Sequence, residues 1–487
     1  MYPAALYYFE IMATTTSKIT QTLRNHLNAV LGRKQALLEL LTNGDIARLQ
    51  SKMTNYSERI QNAIKEYTPG CHKVCRRPNK PRKGKPDKET AKLPIPYQRT
   101  INEQSTAFLF GSPVQFSNNT TVDGDDMSSN AAVDEAFGLF KQILKDTRFD
   151  STIRTCKTTA GAETLCAKLY HLYLDESDSI QVLTKVLAQS LGDDLYLKKD
   201  DFGRLIMFAR HFTVKDLEGK DEIHFDVYTD KYIYRCVQRP IGWDVVIEEN
   251  FIGKIPVLIY EQPVEWDGVQ ALIERREEIQ CKDADMNDYF ADPKLVCEGR
   301  IAGLPNPDDP GSVIQADGGK AYYLTYDSAP ENRKREYDNL DSIIYGMSYS
   351  VNPSSDVIKE MKIPSGVSWE YMFMFPLLKA KNHQDRYGEM IDREINLVKA
   401  IIGVIRPDLK LSGTLDRLNI AFEFSTPMPN DIAETLNEIQ KSIDSGTMSQ
   451  ETAVGLNPLI KSPKLEMERL AQEDDAKVLR EGVNPTF

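Results

Sequence analysis

A long charged helix is predicted by the stretch Glu265-Trp-Asp-Gly-Val-Gln-Ala-Leu-Ile-Glu-Arg-Arg-Glu-Glu-Ile-Gln-Cys-Lys-Asp-Ala-Asp-Met-Asn-Asp-Tyr-Phe-Ala-Asp292. Its apolar residues Leu272, Ile279 and Met286 recur at seven-residue steps, and nine acids stand against three bases. One thin stripe can therefore pack, while the other faces are expected to meet water or a charged neighbour. At 1.5 Å per residue the helix would be about 42 Å long. Such a helix suits a strut in a ring of identical copies better than the core of a compact monomer.

A second helix is predicted downstream, over 328–347. It begins at Ser328-Ala-Pro-Glu331, which matches a capping box with proline in the first turn. Between the two helices, residues 293–327 hold short strand-like runs, Leu295-Val-Cys297 and Ala321-Tyr-Tyr-Leu-Thr-Tyr326, and a turn-rich stretch. The order helix, small β insert, helix places the insert at the far end of a helical pair.

The rest of the chain predicts an α+β protein that is mainly helical. Residues 17–67 carry apolar residues at helical spacing, and short alternating runs between Ile180 and Tyr260 predict an antiparallel sheet. A polar loop, 348–364, precedes a third long helix over 365–405, in which Pro376 is expected to cause a bend or break. At the end of the chain, Asn430 or Asp431 is expected to cap a helix that ends at Gly446. Ser449 is expected to begin another helix.

Composition limits the function classes. With 487 residues, of which 41% are hydrophobic, the chain can hold about two to four domains. Its formal net charge of -12 argues against broad gripping of nucleic acid. The seven cysteines are scattered, which favours folding in a reducing compartment, and no apolar run approaches the roughly 20 residues that cross a bilayer.

Several small motifs have a chemical and a plainer interpretation. The basic run Lys73–Lys88 is either a nucleic-acid arm or, as we favour, a solvated loop. Cys71, His72 and Cys75 lack a fourth zinc ligand at the usual spacing and are interpreted mainly as free thiols beside a histidine. The remaining acidic clusters are interpreted as a polar loop and as turn acids rather than divalent-cation sites: Asp123, Asp125 and Asp126; Asp193-Asp194; Asp200-Asp201.

Known catalytic motifs do not appear. Gly318-Gly-Lys-Ala321 lacks the upstream glycine and the hydroxyl of a phosphate-binding loop, and there is no Gly-x-Ser-x-Gly or His-Glu-x-x-His. We therefore predict a protein that is not an enzyme, with no catalytic residue, no cofactor and no metal.

The order of these parts resembles the portal proteins of long-tailed bacteriophages. The stretches that carry the resemblance cover roughly residues 20 to 475: Gly253-Lys-Ile-Pro-Val-Leu-Ile-Tyr260, Val269-Gln-Ala-Leu-Ile-Glu-Arg275, Asp285-Met-Asn-Asp-Tyr-Phe290, the pair Ser365-Gly366, Asp444-Ser-Gly-Thr-Met-Ser-Gln-Glu-Thr-Ala453 and Glu466-Met-Glu-Arg469. Where relatives commonly carry Phe-Gly-Asn before that Ser-Gly pair, this chain has Ile358-Lys-Glu-Met-Lys-Ile-Pro364.

The resemblance implies a division of the chain into named parts. These are a wing, 20–263 with 365–428; a stem, 264–292 and 328–347; a small β clip, 293–327; a channel loop, 348–364; and a helical crown, 429–487. It also implies a ring of about twelve copies. The residues expected to meet DNA at the channel loop are Asn352, Ser354, Ser355, Lys359 and Lys362, and those expected to dock the motor or adaptor at the clip are Asn306, Asp308, Asp309, Gln315 and Lys320.

The implied partners follow from that role. They are other copies of the chain, the large terminase subunit, head-completion or adaptor proteins, the major capsid and scaffolding proteins, and double-stranded DNA held loosely, with no membrane. The implied location is the portal vertex of the virion, after assembly in the host cytoplasm. Two alternatives remain open at this point: a cytosolic nucleic-acid-binding protein that uses the basic arm 73–88, and an unrecognised enzyme in the α+β region.

Overall fold

In a computed structural model of the protein, residues 21, 24 and 28–481 are described, except 85, 121–126, 217, 291–293, 299, 304–314, 318–319, 325–329, 353–372, 426–431, 458 and 461–462. The chain divides into two compact units. The first comprises the chain up to Pro353 together with Phe375–Thr426, and the second comprises Ser354–Met374 and Pro427–Phe487.

The described residues contain α-helices and antiparallel strands joined by turns. The helices are α1 (28–42), α2 (Ile46–Lys52), α3 (Ser57–Tyr67), α4 (Tyr97–Phe110), α5 (Met127–Asp146), α6 (Phe149–Glu163), α7 (Gln270–Phe290), α8 (Pro330–Met347), α9 (Met374–Ile405), α10 (Pro407–Leu411), α11 (Thr414–Arg417), α12 (Ile432–Asp444), α13 (Gln450–Leu456) and α14 (Pro463–Glu481). The strands are β1 (Thr54–Asn55), β2 (Gln115–Asn118), β3 (Leu165–Leu174), β4 (Ile180–Leu187), β5 (Asp193–Lys199), β6 (Leu205–Lys215), β7 (Asp221–Tyr228), β8 (Tyr232–Arg239), β9 (Gly242–Glu249), β10 (Val257–Glu261), β11 (Lys294–Cys297), β12 (Arg300–Gly303), β13 (Gln315–Asp317), β14 (Ala321–Leu324) and β15 (Ile420–Glu423).

The largest sheet has six strands in the order β1-β5-β6-β7-β8-β9, and every neighbouring pair is antiparallel. Alternation along each strand sends Met207 and Phe225 to one face, where they pack with Leu41 and Leu49 of α1 and α2. The prediction of an antiparallel sheet in this region is confirmed. Asp193, which we interpreted as a turn acid, instead begins β5 and is buried, so that interpretation was wrong.

A second core lies beneath the three-stranded sheet β10-β3-β4. Helices α5, α6 and α9 contribute its apolar residues, among them Phe140, Ile153 and Val398. The long helix α9 begins at Met374, so Pro376 lies in its first turn and is buried. Proline is tolerated there because the first amides of a helix have no partner inside it. Of the predicted bend or break at Pro376, the described residues show no bend within α9, because the proline lies where that helix starts.

The helical pair and its strands follow the predicted order. Helix α7 is shorter than the predicted 265–292, because Gly268 has a φ of +81° and the residues before Gln270 form turns. Beyond α7, β11 pairs with β14 and β12 with β13, and α8 then returns.

The second unit contains α12, α13 and α14. Gly446 has a φ of +70° just after α12, and the Ser449 side chain accepts a hydrogen bond from the Thr452 amide at the start of α13. Both turns were predicted, while the expected caps Asn430 and Asp431 lie outside the described residues. Across the described chain, no helix is long and apolar enough to span a bilayer.

Candidate functional site

Most residues that the sequence analysis assigned to the channel loop and clip lie outside the described residues. These are Ser354, Ser355, Lys359 and Lys362 of the loop, and Asn306, Asp308 and Asp309 of the clip. Asn352 is described and half-buried, Gln315 begins β13, and Lys320 is exposed just before β14. The structure therefore shows how these segments are held at their bases, and their roles stay predictions.

The base of the predicted channel loop forms a neck, which we define as 348–351 on the outgoing side and 375–379 on the returning side. Tyr349 and Phe375 meet edge to face, with ring centroids 5.9 Å apart. The Lys379 ammonium donates to the Ser348 carbonyl at 3.0 Å. Both ends of the intervening segment are thus held together.

The outgoing side of the neck is also fixed to α4. The Gln104 amide donates to the Val351 carbonyl at 2.7 Å and accepts from the Val351 amide at 2.9 Å. Tyr349 has a φ of +54°, a left-handed conformation that costs a non-glycine residue about 1–3 kcal/mol unless its surroundings hold it. The two-point clamp by Gln104 and the ring contact with Phe375 supply such surroundings.

A buried charged cluster lies behind the neck and centres on Glu265. Its carboxylate pairs with Lys157 of α6 and with Lys379 of α9 at 2.8 Å, and accepts from Gln262 at 2.7 Å. Burial by itself would raise the pKa of Glu265, but the charge of Lys157 and the hydrogen bond from His383 hold that pKa well below its usual value. Glu265 is therefore a buried carboxylate that joins α6, the turns before α7, and α9.

The basic run does not form a free loop at its start. Residues 72–93, which we call the basic strap, lie along one side of α7. Ion pairs join the strap to α7: His72 Nδ1 with Glu277 at 2.6 Å, Lys73 with Glu274 at 3.5 Å, and Arg77 with Asp285 at 2.9 Å. Two backbone amides of the strap also donate hydrogen bonds to α7, Ala91 to Asp285 at 2.7 Å and Leu93 to Cys281 Sγ at 3.2 Å. The interpretation of the run as a solvated loop holds only in part, because three of its eight cations, Lys73, Arg77 and Lys80, pair with acids of α7.

The same contacts show what meets the charged faces of α7. Glu277 is 1% exposed and Asp285 is 8% exposed, so of the two expected surroundings, water or a charged neighbour, these acids have the second, and it lies in their own chain. On the other side, α8 supplies Asp341 to Arg276 at 3.1 Å and Arg333 to Asp283 at 2.6 Å. A charged helix therefore packs on both flanks inside its own chain, because its charges are paired as they are buried.

Both ring nitrogens of His72 contact groups of the protein. Its Nδ1 meets Glu277 and its Nε2 meets the Glu66 carbonyl at 2.8 Å, so both ring nitrogens are engaged. Burial would lower the pKa of His72, but the hydrogen bond and charge of Glu277 raise it above the ordinary value. Within the described residues, no group of three potential metal ligands comes together.

Asp123, Asp125 and Asp126 lie outside the described residues, whereas the described acids at the other candidate cation positions are engaged. Asp200 accepts from the Phe202 and Arg204 amides at 3.0 and 2.8 Å, which is the turn role predicted for it. Asp193 faces Arg210 and Lys185, each at 3.5 Å. These contacts account for both carboxylates as structural groups.

The sequence analysis missed the loop neck and the Glu265 cluster. One signal was present: Lys157 falls on the same helical face as Ile153, Cys156 and Ala160, and a lysine among apolar residues requires a buried acid. Which acid it meets could not be read from α6, since Glu265 lies more than a hundred residues away.

The family model described as phage portal protein, SPP1 Gp6-like, matches residues 44–478. The portal protein of Bacillus phage SPP1 is 21% identical over 424 residues, which cover 77% of this chain and 75% of that protein. The match includes the helical pair, the strap and the neck.

Proposed function

Because the chain belongs to the phage portal protein family, we propose that about twelve copies close into a ring around a DNA channel at one capsid vertex. The match of the family model over residues 44–478 carries this proposal. Members of the family are structural proteins, and we infer that this chain likewise has no catalytic role and that a separate motor supplies the energy for packaging.

The described contacts support a division of labour within the ring. We assign α7 and α8 to the stem, the strands β11–β14 to the clip and the segment 348–364 to the channel loop. The neck supports the last assignment, since Lys379 and Phe375 hold the returning chain against Ser348 and Tyr349. A loop held at its base can enter a channel without unravelling the helices that carry it.

The net charge of -12 suits a channel that passes DNA without retaining it. Each phosphate that a protein neutralises adds salt-dependent affinity, which opposes sliding. We infer that contact at the channel loop is weak and renewable, through Lys359 and Lys362. The clip residues Gln315 and Lys320 would face the terminase or adaptor, and the wing and crown would face capsid and scaffolding proteins.

Particle size tests the ring directly. Light scattering and negatively stained images of the purified chain are expected to show a ring-shaped particle with a central hole. A stable monomer or dimer at micromolar concentration, with no ring in the images, would contradict the proposal.

Packaging tests the loop. Changing Lys359 and Lys362 together to glutamate is expected to reduce DNA packaging while ring assembly is kept. Normal packaging by this variant would show that the loop lysines are unimportant, and the ring proposal would stand on the particle measurement.

A further inference from the structure

The middle of the basic strap forms a short hairpin, residues 80–88. Lys80 and Lys88 exchange backbone hydrogen bonds of 2.9 and 2.8 Å, and Gly84 turns the chain with a φ of +73°. The hairpin is therefore closed at its root by an antiparallel bridge.

The root of this hairpin is held against α7 from both strands. Arg77 pairs with Asp285 at 2.9 Å and donates to the Ala91 carbonyl at 2.6 Å. The Ala91 amide in turn donates to Asp285 at 2.7 Å. Asp285 thus binds the chain before and after the hairpin, which fixes the root of the hairpin on α7.

The cations of the strap fall into two groups. Lys73, Arg77 and Lys80 pair with acids of α7. The second group has no acidic partner within ion-pair distance among the described residues. On the hairpin it comprises Arg82 and Lys83, which are exposed, and Lys88, which is half-buried; elsewhere in the strap it comprises Arg76 and Lys92. The strap thus pairs three cations with its own chain and leaves three unpaired cations on the hairpin.

We propose that hairpin 80–88 binds the phosphate backbone of a nucleic-acid duplex through Arg82, Lys83 and Lys88. Lysine and arginine neutralise phosphates and fix a protein on the backbone without reading the bases. The contact is accordingly expected to depend strongly on salt and little on base sequence.

The composition of the hairpin favours phosphate over an acidic protein surface. Apart from Pro81 and Pro86, residues 79–88 contain no aliphatic or aromatic side chain. Protein interfaces draw their energy from buried apolar and aromatic anchors and are depleted in lysine. A polyanion requires only closely spaced cations, and these are what the hairpin offers.

This inference deepens the proposed function, because it gives the subunit a DNA contact separate from the predicted channel loop. In a ring, each copy would present the same hairpin at the same height along α7. The single contact is weak, but copies that engage one duplex together would add their contributions.

Salt-dependent DNA binding tests the inference. Purified particles are titrated with a fluorescent duplex of about 30 base pairs between about 50 and 300 mM NaCl, followed by anisotropy. The triple variant Arg82→Gln, Lys83→Gln, Lys88→Gln is expected to bind more weakly. Its slope of log affinity against log salt should fall by about 2.7 for each engaged hairpin, since each lost phosphate contact removes about 0.9.

A matched control removes the same charge elsewhere. The triple variant Lys145→Gln, Lys215→Gln, Lys231→Gln changes three exposed lysines on α5, at the end of β6 and in the turn before β8. It is expected to keep the wild-type slope. Thermal unfolding by circular dichroism is measured for both variants, so that a folding defect is seen separately.

Three results would overturn the inference. They are an unchanged slope in the hairpin variant, an equal loss in the control variant, and binding of polyglutamate in place of duplex, which would assign the hairpin to an acidic protein. Particle size is measured on the same samples. A ring that binds DNA independently of the hairpin would reject this inference alone, whereas the absence of a ring would reject the proposed function.

Discussion

The Lys379 ammonium lies 3.0 Å from the Ser348 carbonyl and 2.8 Å from the Glu265 carboxylate. One side chain of α9 thus holds both the last turn of α8 and the turns that precede α7. The predicted channel loop leaves and returns at this point, so the position of its base depends on a buried ion pair rather than on apolar packing alone.

Replacing Lys379 by methionine is expected to lower the free energy of unfolding by about 2–3 kcal/mol. The substitution removes one of the cations that balance buried Glu265 and leaves the Ser348 carbonyl without this donor. Urea unfolding followed by circular dichroism measures the change. Lys381→Met, at an exposed position of the same helix, should differ from wild type by less than about 0.5 kcal/mol. Equal losses in the two variants would show that Lys379 has no special role.

The His72–Glu277 pair is expected to make stability fall as pH rises. Glu277 raises the folded-state pKa of His72 above 6.5 despite burial, so the pair stabilises the fold fully below that value. The contribution is lost as pH rises through the folded-state pKa. The difference in urea midpoint between wild type and His72→Gln should therefore shrink from pH 6 to higher pH. A difference in urea midpoint that grows as pH rises would show that the fold does not raise the pKa of His72.

His383 is expected to show the opposite pH dependence. Burial lowers its pKa below 6.5, more than the hydrogen bond with Glu265 raises it. A histidine kept neutral in the fold costs stability once the unfolded form can take up a proton, so stability falls as pH drops below 6.5. His383→Gln should flatten that fall in urea midpoints between pH 7 and pH 5. If the urea midpoint of His383→Gln falls between pH 7 and pH 5 as much as that of the wild type, the prediction is contradicted.

A single substitution at Asp285 is expected to weaken the attachment of the strap to α7. Asp285→Asn keeps an acceptor for the Ala91 amide but removes the charge that faces Arg77 and Lys80, at a cost of about 1–3 kcal/mol. Trypsin is then expected to cut at Arg82 or Lys83 faster than in wild type. Asp288→Asn, at an exposed position of the same helix, serves as control. The prediction fails if both variants are cut at the wild-type rate.

Gly161 of α6 is required by close packing. A Cβ there would overlap the Asn102 side-chain oxygen and lie 2.9 Å from Cγ of Glu265. Gly161→Ala is expected to destabilise the protein by about 1–3 kcal/mol, because the buried neighbours must shift. Gly138→Ala in α5, where nothing lies within 4 Å, should instead stabilise by about 0.5–1 kcal/mol. Thermal unfolding of the two variants should therefore move in opposite directions.

Much of the architecture could be predicted because its signals are local. Helical spacing around Leu340 and Ile344, the glycine at 446 and the capping serine at 449 each act within a turn or two, and the structure has them where the pattern placed them. The start of α7 was missed by five residues because a glycine at 268, inside an otherwise helical pattern, adopts a left-handed φ.

The partners of the charges could not be predicted in the same way. The sequence contains no local signal that Lys157 and Lys379 both pair with Glu265. Charge pairing across such separations depends on how the helices pack. The order of elements and the portal resemblance were therefore already present in the chain, since they rest on short-range periodicity and on residue order. Tertiary packing alone decided that the acids of α7 face the basic strap and α8, because a buried charge is stable only where the fold brings its partner to it.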